Sequence, residues 1–214
     1  MILTKAKAIP EFMASTPQFL EEIGRVCYKS EDKITQDSAQ KFIKTIIDNG
    51  HHSVIEHSMA TVRFIIDRGV SHELVRHRLC AFSQESTRYC DYQGDIEFII
   101  PPWCIDLGEG VYSYPTDEAL AATTMEWLEA MQQAEDHYNL LRKGGWSPQQ
   151  ARSVLPNSLK TEIVVTANYR EWRHIFTLRC SKKAHPQMRE VMIPLAKEFA
   201  ENVPEIFGEW LEVN

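Results

Sequence analysis

Three arginines and a histidine crowd into thirteen positions of this 214-residue chain, as Arg76-His77-Arg78 and then, after seven residues, Ser86-Thr87-Arg88. Guanidinium groups stay charged and meet phosphate oxygens in pairs, so a helix end and a turn that carry them can hold two phosphorylated ligands close together. A pyrophosphate and a monophosphate would suit such a pair of sites. The surroundings are acidic, with 23 Lys plus Arg against 30 Asp plus Glu and a net charge of -7. A surface of that sign repels duplex DNA, so any phosphate must be met by a local basic pocket. The plainer reading is that the arginines pair with surplus carboxylates on a solvated face.

A second polar group, His51, His52, Glu56 and His57, has the residue types of a zinc site. Its spacing argues otherwise: no His-Glu-x-x-His helix is present, and adjacent histidines point their rings in different directions. No metal is expected. Ser86 invites the role of covalent nucleophile, yet Glu85, Thr87 and Arg88 beside it offer no oriented base. A phosphate hydrogen bond from its turn is the better role. Five scattered cysteines without a C-x-x-C pair read as reduced, structural thiols, Cys104 included, and no enzyme nucleophile is expected.

These residues need elements to position them. Thr16-Pro17 reads as a helix cap followed by a face of Phe19, Leu20, Ile23, Val26 and Cys27. A second helix carries Ala39, Phe42, Ile43, Ile46 and Ile47 and ends at Gly50, where a left-handed cap belongs. Met59 to Asp67 alternates as a strand, with Val62, Phe64 and Ile66 on one side and Thr61, Arg63 and Ile65 on the other. Gly69 breaks it, Ser71 caps a short helix through Arg78, and Ile96 to Ile100 form another strand. Thr116-Asp117-Glu118 opens a long helix that Gly144-Gly145 end, and Ser147-Pro148-Gln149-Gln150 has a capping-box spacing. Ile163 to Asn168 is a strand, and helices begin at Pro186, with a kink at Pro194, and at Pro204. The pattern predicts one α+β domain over residues 1–214, helices covering a mostly antiparallel sheet. Nothing in the start Met1-Ile2-Leu3-Thr4-Lys5 reads as a leader and no window is apolar enough to span a bilayer, which predicts a cytoplasmic protein without membrane or nucleic-acid partners.

Arg-His-Arg, seven residues, Ser, one residue and Arg resembles the signature of flavin-dependent thymidylate synthases. Gly50-His51-His52-Ser53-Val54-Ile55-Glu56-His57 is similar to that family's His-x-(Ser/Thr)-x-x-Glu-His stretch. Ala151-Arg152-Ser153-Val154-Leu155-Pro156, Asn168-Tyr169-Arg170, Leu178-Arg179 and His185-Pro186-Gln187 resemble it too, so the likeness runs from about residue 17 to the C-terminus.

The resemblance implies a methyltransferase of the thymidylate synthase-complementing fold, converting dUMP to dTMP. It implies FAD as cofactor, with 5,10-methylenetetrahydrofolate as carbon donor and NADPH as reductant of the flavin. FAD would be met by His51, Ser53, Glu56, Arg76, His77, Arg78, Gln84, Asn168, Arg170, His174, Leu178 and His185. dUMP would be met by Glu73, Arg76, Gln84, Glu85, Ser86, Thr87, Arg88, Arg152 and Arg179, with Arg179 the catalytic residue beside the uracil. The family's assembly implies a homotetramer with active sites shared between subunits. A different class of function, a non-catalytic nucleotide or RNA binder using the turn from Arg76 to Arg88, is disfavoured by the acidic balance and the lack of interleaved aromatics.

Overall fold

The chain alternates short strands and helices, and its computed structural model describes residues 1–14, 16–116 and 119–213, without the side chains of residues 12–14. It forms two compact units: residues 1–7, 64–76 and 83–163 in one, and 8–63, 77–82 and 164–214 in the other.

In the first unit β1 (Ile2–Thr4) lies between β5 (Glu97–Ile99) and β6 (Gly110–Val111). β1 runs parallel to β5 with Leu3 opposite Phe98, and antiparallel to β6 with Leu3 opposite Gly110. Parallel pairing needs a long crossover, and the stretch between the two strands supplies it. Strands this short carry no readable period, which is why β1 and β6 escape the sequence pattern. The unit's core gathers Leu3, Phe98, Leu128, Met131 and Tyr138. The last three lie on α4 (Ala122–Lys143), which begins later than Thr116; the acids Asp117 and Glu118 lie outside the described residues. Gly144 caps it and Gly145 follows at φ +92°, as expected of that pair. Buried Glu135 on α4 binds the Met1 amino group at 3.0 Å and accepts the Ile96 N–H at 2.6 Å. The short α5 (Pro148–Ala151) opens on the expected capping box.

The second unit is helical. α1 (Pro17–Val26) is capped by Thr16, whose hydroxyl accepts the Phe19 N–H. The face it buries is Leu20, Glu21 and Gly24, which corrects the sequence expectation: Phe19, Val26 and Cys27 are exposed. Gly24 explains the rotation, because a Cβ there would come within 2.6 Å of the Phe42 ring on α2 (Ser38–Asp48). α2 ends in a Schellman motif, His51 N–H to Ile46 C=O and Gly50 N–H to Ile47 C=O, with Gly50 at φ +73°. α6 (Tyr169–Arg179), α7 (Pro186–Asn202, with Pro194 inside it) and α8 (Pro204–Phe207) enclose an aromatic cluster of Trp172, Phe176, Phe199, Phe207 and Trp210.

A four-stranded sheet has the order β2 (Lys7–Ala14), β3 (Met59–Asp67), β7 (Lys160–Asn168), β4 (Ala81–Gln84). Val62, Phe64 and Ile66 on β3 are fully buried, as their alternation predicts. β3 and β7 run antiparallel, since the Thr61 and Thr166 hydroxyls meet at 2.9 Å while Arg68 N–H reaches Leu159 C=O. α3 (Arg68–Leu74) follows β3 directly and differs from expectation at both ends. Its cap is Asp67, whose carboxylate accepts the Val70 N–H at 2.6 Å, and it stops at Leu74, so Gly69 and Ser71 lie within it. Arg76, His77 and Arg78 therefore sit in a turn, not on a helix.

Candidate active site

In the first unit the polar residues gather around the turn that follows β4. Ser86 C=O accepts from the N–H groups of Tyr89 and Cys90, and Ser86 Oγ accepts the Arg88 N–H. That places Arg88 in solvent with its guanidinium over the Tyr89 ring at 5.4 Å. Arg152, in the 3-10 turn after α5, donates to the Thr87 hydroxyl at 2.9 Å. Arg152 thus meets the turn that carries Ser86 and Arg88 at its middle residue, Thr87. Gln84 and Glu85 are turned to structural work: Gln84 Nε2 donates to Ser71 Oγ and Thr161 Oγ1, while Glu85 accepts from Tyr92 OH at 2.6 Å and approaches Lys160. Glu73 is half-buried near the end of α3, and Arg76 is exposed just beyond it.

In the second unit the Schellman turn after α2 delivers the chain to an exposed loop and a 3-10 turn over Val54–His57. There Tyr28 OH lies 3.3 Å from His51 Nδ1, and Ser53 is exposed. Glu56 pairs with Arg170 at 2.5 Å, bringing the loop to the start of α6. Asn168 caps that helix through the Glu171 N–H. Leu178 is exposed on the last turn beside Arg179, and His185 is the N-cap of α7.

The tightest grouping surrounds His77. It is buried, its Nε2 accepts from Arg179 Nε–H at 3.0 Å, and its Nδ1 lies 3.4 Å from Glu171 Oε1. The His174 ring stands edge-on at 5.9 Å. Burial, then the positive charges of Arg179 and His174, lower the His77 pKa to about 4, so the ring is neutral. Burial pushes the Glu171 carboxyl up, and burial with the nearby Glu171 charge pushes the Cys80 thiol up to about 12. Cys104 is likewise raised by burial, which suits a packing role.

His77, Glu171 and His174 also place ligand atoms within 4.8 Å of one another, as a metal would require. The arginine weighs against a metal. An Arg Nε–H can only donate, so the His77 nitrogen it meets must keep its lone pair for that bond and the other nitrogen carries the proton. This cluster is separate from His51, His52, Glu56 and His57. Glu171 was missed in the sequence because α6 itself was missed; Asn168 as a cap with Trp172, Ile175 and Phe176 at helical spacing is the signal that marks both.

The arginines divide by partner. Arg25, Arg63, Arg142, Arg170 and Arg173 each hold a carboxylate. Arg76, Arg78, Arg88 and Arg152 hold none among the described residues, although acids outnumber bases, and neither does Arg68, which donates to the Thr161 hydroxyl instead. Carboxylate pairing on a solvated face therefore does not account for them. A cleft of about 310 Å³ in the first unit is lined by Glu85, Asp91, Asp95 and Glu97 with Lys160, and four acids against one base would repel a nucleotide phosphate.

The profile of the family described as "Thymidylate synthase complementing protein" matches residues 11–205. The flavin-dependent thymidylate synthase of Mycobacteroides abscessus is 36% identical over 200 residues, covering 91% of this chain and 79% of its own length. That of Mycolicibacterium gilvum is 38% identical over 200 residues, covering 89% and 78%. The crystal structure of the UMP/dUMP methylase PolB from Streptomyces cacaoi, bound with 5-Br dUMP, matches with a TM-score of 0.79 at 20% identity over 99% of this chain and 97% of that one, a likeness of fold. The length of the profile match and the identity to these relatives agree that the chain belongs to the flavin-dependent thymidylate synthase family.

Proposed function

We propose that the protein methylates dUMP to dTMP with FAD as its cofactor, 5,10-methylenetetrahydrofolate as the carbon donor and NADPH as the source of electrons. The observation that carries this reading is the set of guanidinium groups held clear of carboxylates in an acidic chain: Arg76, Arg88 and Arg152 in one unit and Arg78 in the other. Arg88, Arg152 and the Ser86 turn suit the nucleotide's monophosphate, since two charged forks and a turn of small polar side chains can share its oxygens. Glu73 and the end of β4 at Gln84 and Glu85 flank that turn. Arg78, with the exposed His51, Ser53, His174 and Leu178, offers donors for a pyrophosphate and an apolar edge for a ring system, so the residues fit FAD.

Bound FAD, once reduced, supplies the hydride that completes the transferred methylene as a methyl group. Arg179 is the catalytic residue: a fixed positive charge beside the pyrimidine stabilises its N3-deprotonated form and enriches C5 in electrons. No enzyme nucleophile takes part. Ser86 has no base beside it among the described residues, and the thiols of Cys80, Cys104 and Cys180 are all pushed up by burial. The reading takes residues 1–214 as one functional domain, assembled as a cytoplasmic homotetramer whose subunits share active sites. Support for the assembly comes from the apolar side chains that α1 leaves in solvent, Phe19 and Val26, with Tyr28 beyond its end.

Anaerobic incubation of the purified protein with dUMP, methylenetetrahydrofolate and reduced FAD tests the whole. Formation of dTMP is expected. A colourless protein that binds no flavin and forms no dTMP would overturn the reading, and a gel shift with RNA would then favour the binding module.

A further inference from the structure

Buried charged groups that the proposed chemistry does not use are few, and Glu171 stands out among them. Glu21 is consumed by Arg25 and Ser38, and Glu135 by the Met1 amino group and Ile96. Glu171 sits in the first turn of α6, buried, with its Oε1 facing His77 Nδ1. On the far side of the same imidazole, Nε2 accepts from Arg179 Nε–H in the last turn of the same helix.

We propose that Glu171 is a positioning residue: its carboxylate holds the His77 proton on Nδ1, so that the Nε2 lone pair faces Arg179 and fixes the guanidinium in one orientation. The inference rests on the reading of Arg179 as the uracil-activating group. Each link follows from donor and acceptor inventory. A neutral imidazole carries one proton, and a negative oxygen beside Nδ1 selects the tautomer that places it there. Nε2 is then an acceptor only, which is what an arginine Nε–H requires. The arginine side chain otherwise has rotamer entropy to lose on being fixed. An imidazole acceptor orients it without itself adding negative charge, whereas a carboxylate in direct contact would weaken the field it projects. The rival arrangement, a metal shared by His77, Glu171 and His174, would take the lone pair that Arg179 uses.

Two variants separate these cases. Glu171→Gln keeps an oxygen that can accept from Nδ1–H, while Glu171→Leu removes it at similar volume. Nitrogen-15 spectra of the histidine rings should show His77 protonated on Nδ1 in the parent and in Glu171→Gln, and a mixture of tautomers in Glu171→Leu. Turnover of dUMP should fall by on the order of tenfold in Glu171→Leu and stay within about threefold in Glu171→Gln, the scale expected for misplacing a reacting group. In an Arg179→Ala background, Glu171→Leu should cause no further loss in kcat. An Nε2–H tautomer in the parent, an additive loss in the double variant, or one equivalent of zinc that disappears with Glu171→Leu would each overturn the proposal. A parent that makes no dTMP at all would instead overturn the proposed function, and the ring spectra would still decide the tautomer.

Discussion

A single histidine shows how far side-chain chemistry is set by neighbours. His77 lies in the segment that reads as a phosphate site, between two arginines, yet its ring points into the protein and titrates as a buried base. Arg179 is the side chain it orients, so Arg179→Ala should lower kcat for dTMP formation by about 100-fold or more, the scale of losing one charge-stabilising donor, measured at saturating dUMP. If turnover is unchanged, the uracil assignment fails. Ser86 makes the opposite forecast. Because its hydroxyl touches only the Arg88 N–H among the described residues, Ser86→Ala should raise KM for dUMP severalfold and leave the chemical step intact in single-turnover measurements. Abolished chemistry with unchanged nucleotide affinity would restore the serine as a nucleophile.

Helices and strands were legible wherever a cap and a long period coincide. Thr16-Pro17, the Gly50 turn, the β3 alternation and the Ser147 capping box all hold in the structure. Apart from β2, which spans eight residues and was not read as a strand, what escaped was short or capped by a strand's own last residue. β1, β4 and β6 span two to four residues and have no period to read, and α6 starts on the residue after β7. The α3 error has the same origin, because Asp67 both ends β3 and caps α3, leaving Ser71 one turn inside. Asp67→Ala removes the acceptor of the Val70 N–H and should cost about 1–2 kcal/mol, lowering Tm by roughly 2–8 °C for a chain of this size. A melting curve identical to the parent's would show that the cap contributes nothing. The candidate site was legible as residue types, since the three arginines of the signature, Arg76, Arg78 and Arg88, all lack a carboxylate partner among the described residues, a property that Arg68 outside it shares. The Gln84 and Glu85 hydrogen bonds were not, because they depend on β4 meeting the stretch around Thr161 and Glu162.

For the molecule as a whole, acid should be the condition that loosens it first. His77 takes a proton at pH 6.5 when unfolded and only near pH 4 when folded. Between those values the unfolded chain binds the proton that the native ring refuses, so native stability falls with pH. The contribution is fully present above about pH 6.5 and is lost as pH drops to about 4, an effect of about 3 kcal/mol at 1.4 kcal/mol per unit. Urea unfolding at pH 7 and pH 4.5 measures it. His77→Gln should flatten that slope, and an equal slope in parent and variant would place the acid sensitivity elsewhere.

Both nine-residue strands, β3 and β7, hand over to a helix through one Asx residue with the same backbone angles, φ -74° and ψ 165°. Neither joint contains a spare residue, and in each the Asx side chain accepts an N–H of the helix it opens. One extra residue after Asn168 would turn the remainder of α6 by about 100° and carry the Arg179 side chain off its bearing, with no linker to absorb the error. The candidate residues within segments 49–58 and 85–95 hang from turns instead, whereas the two strand-to-helix joints set the bearing of the helices that follow them.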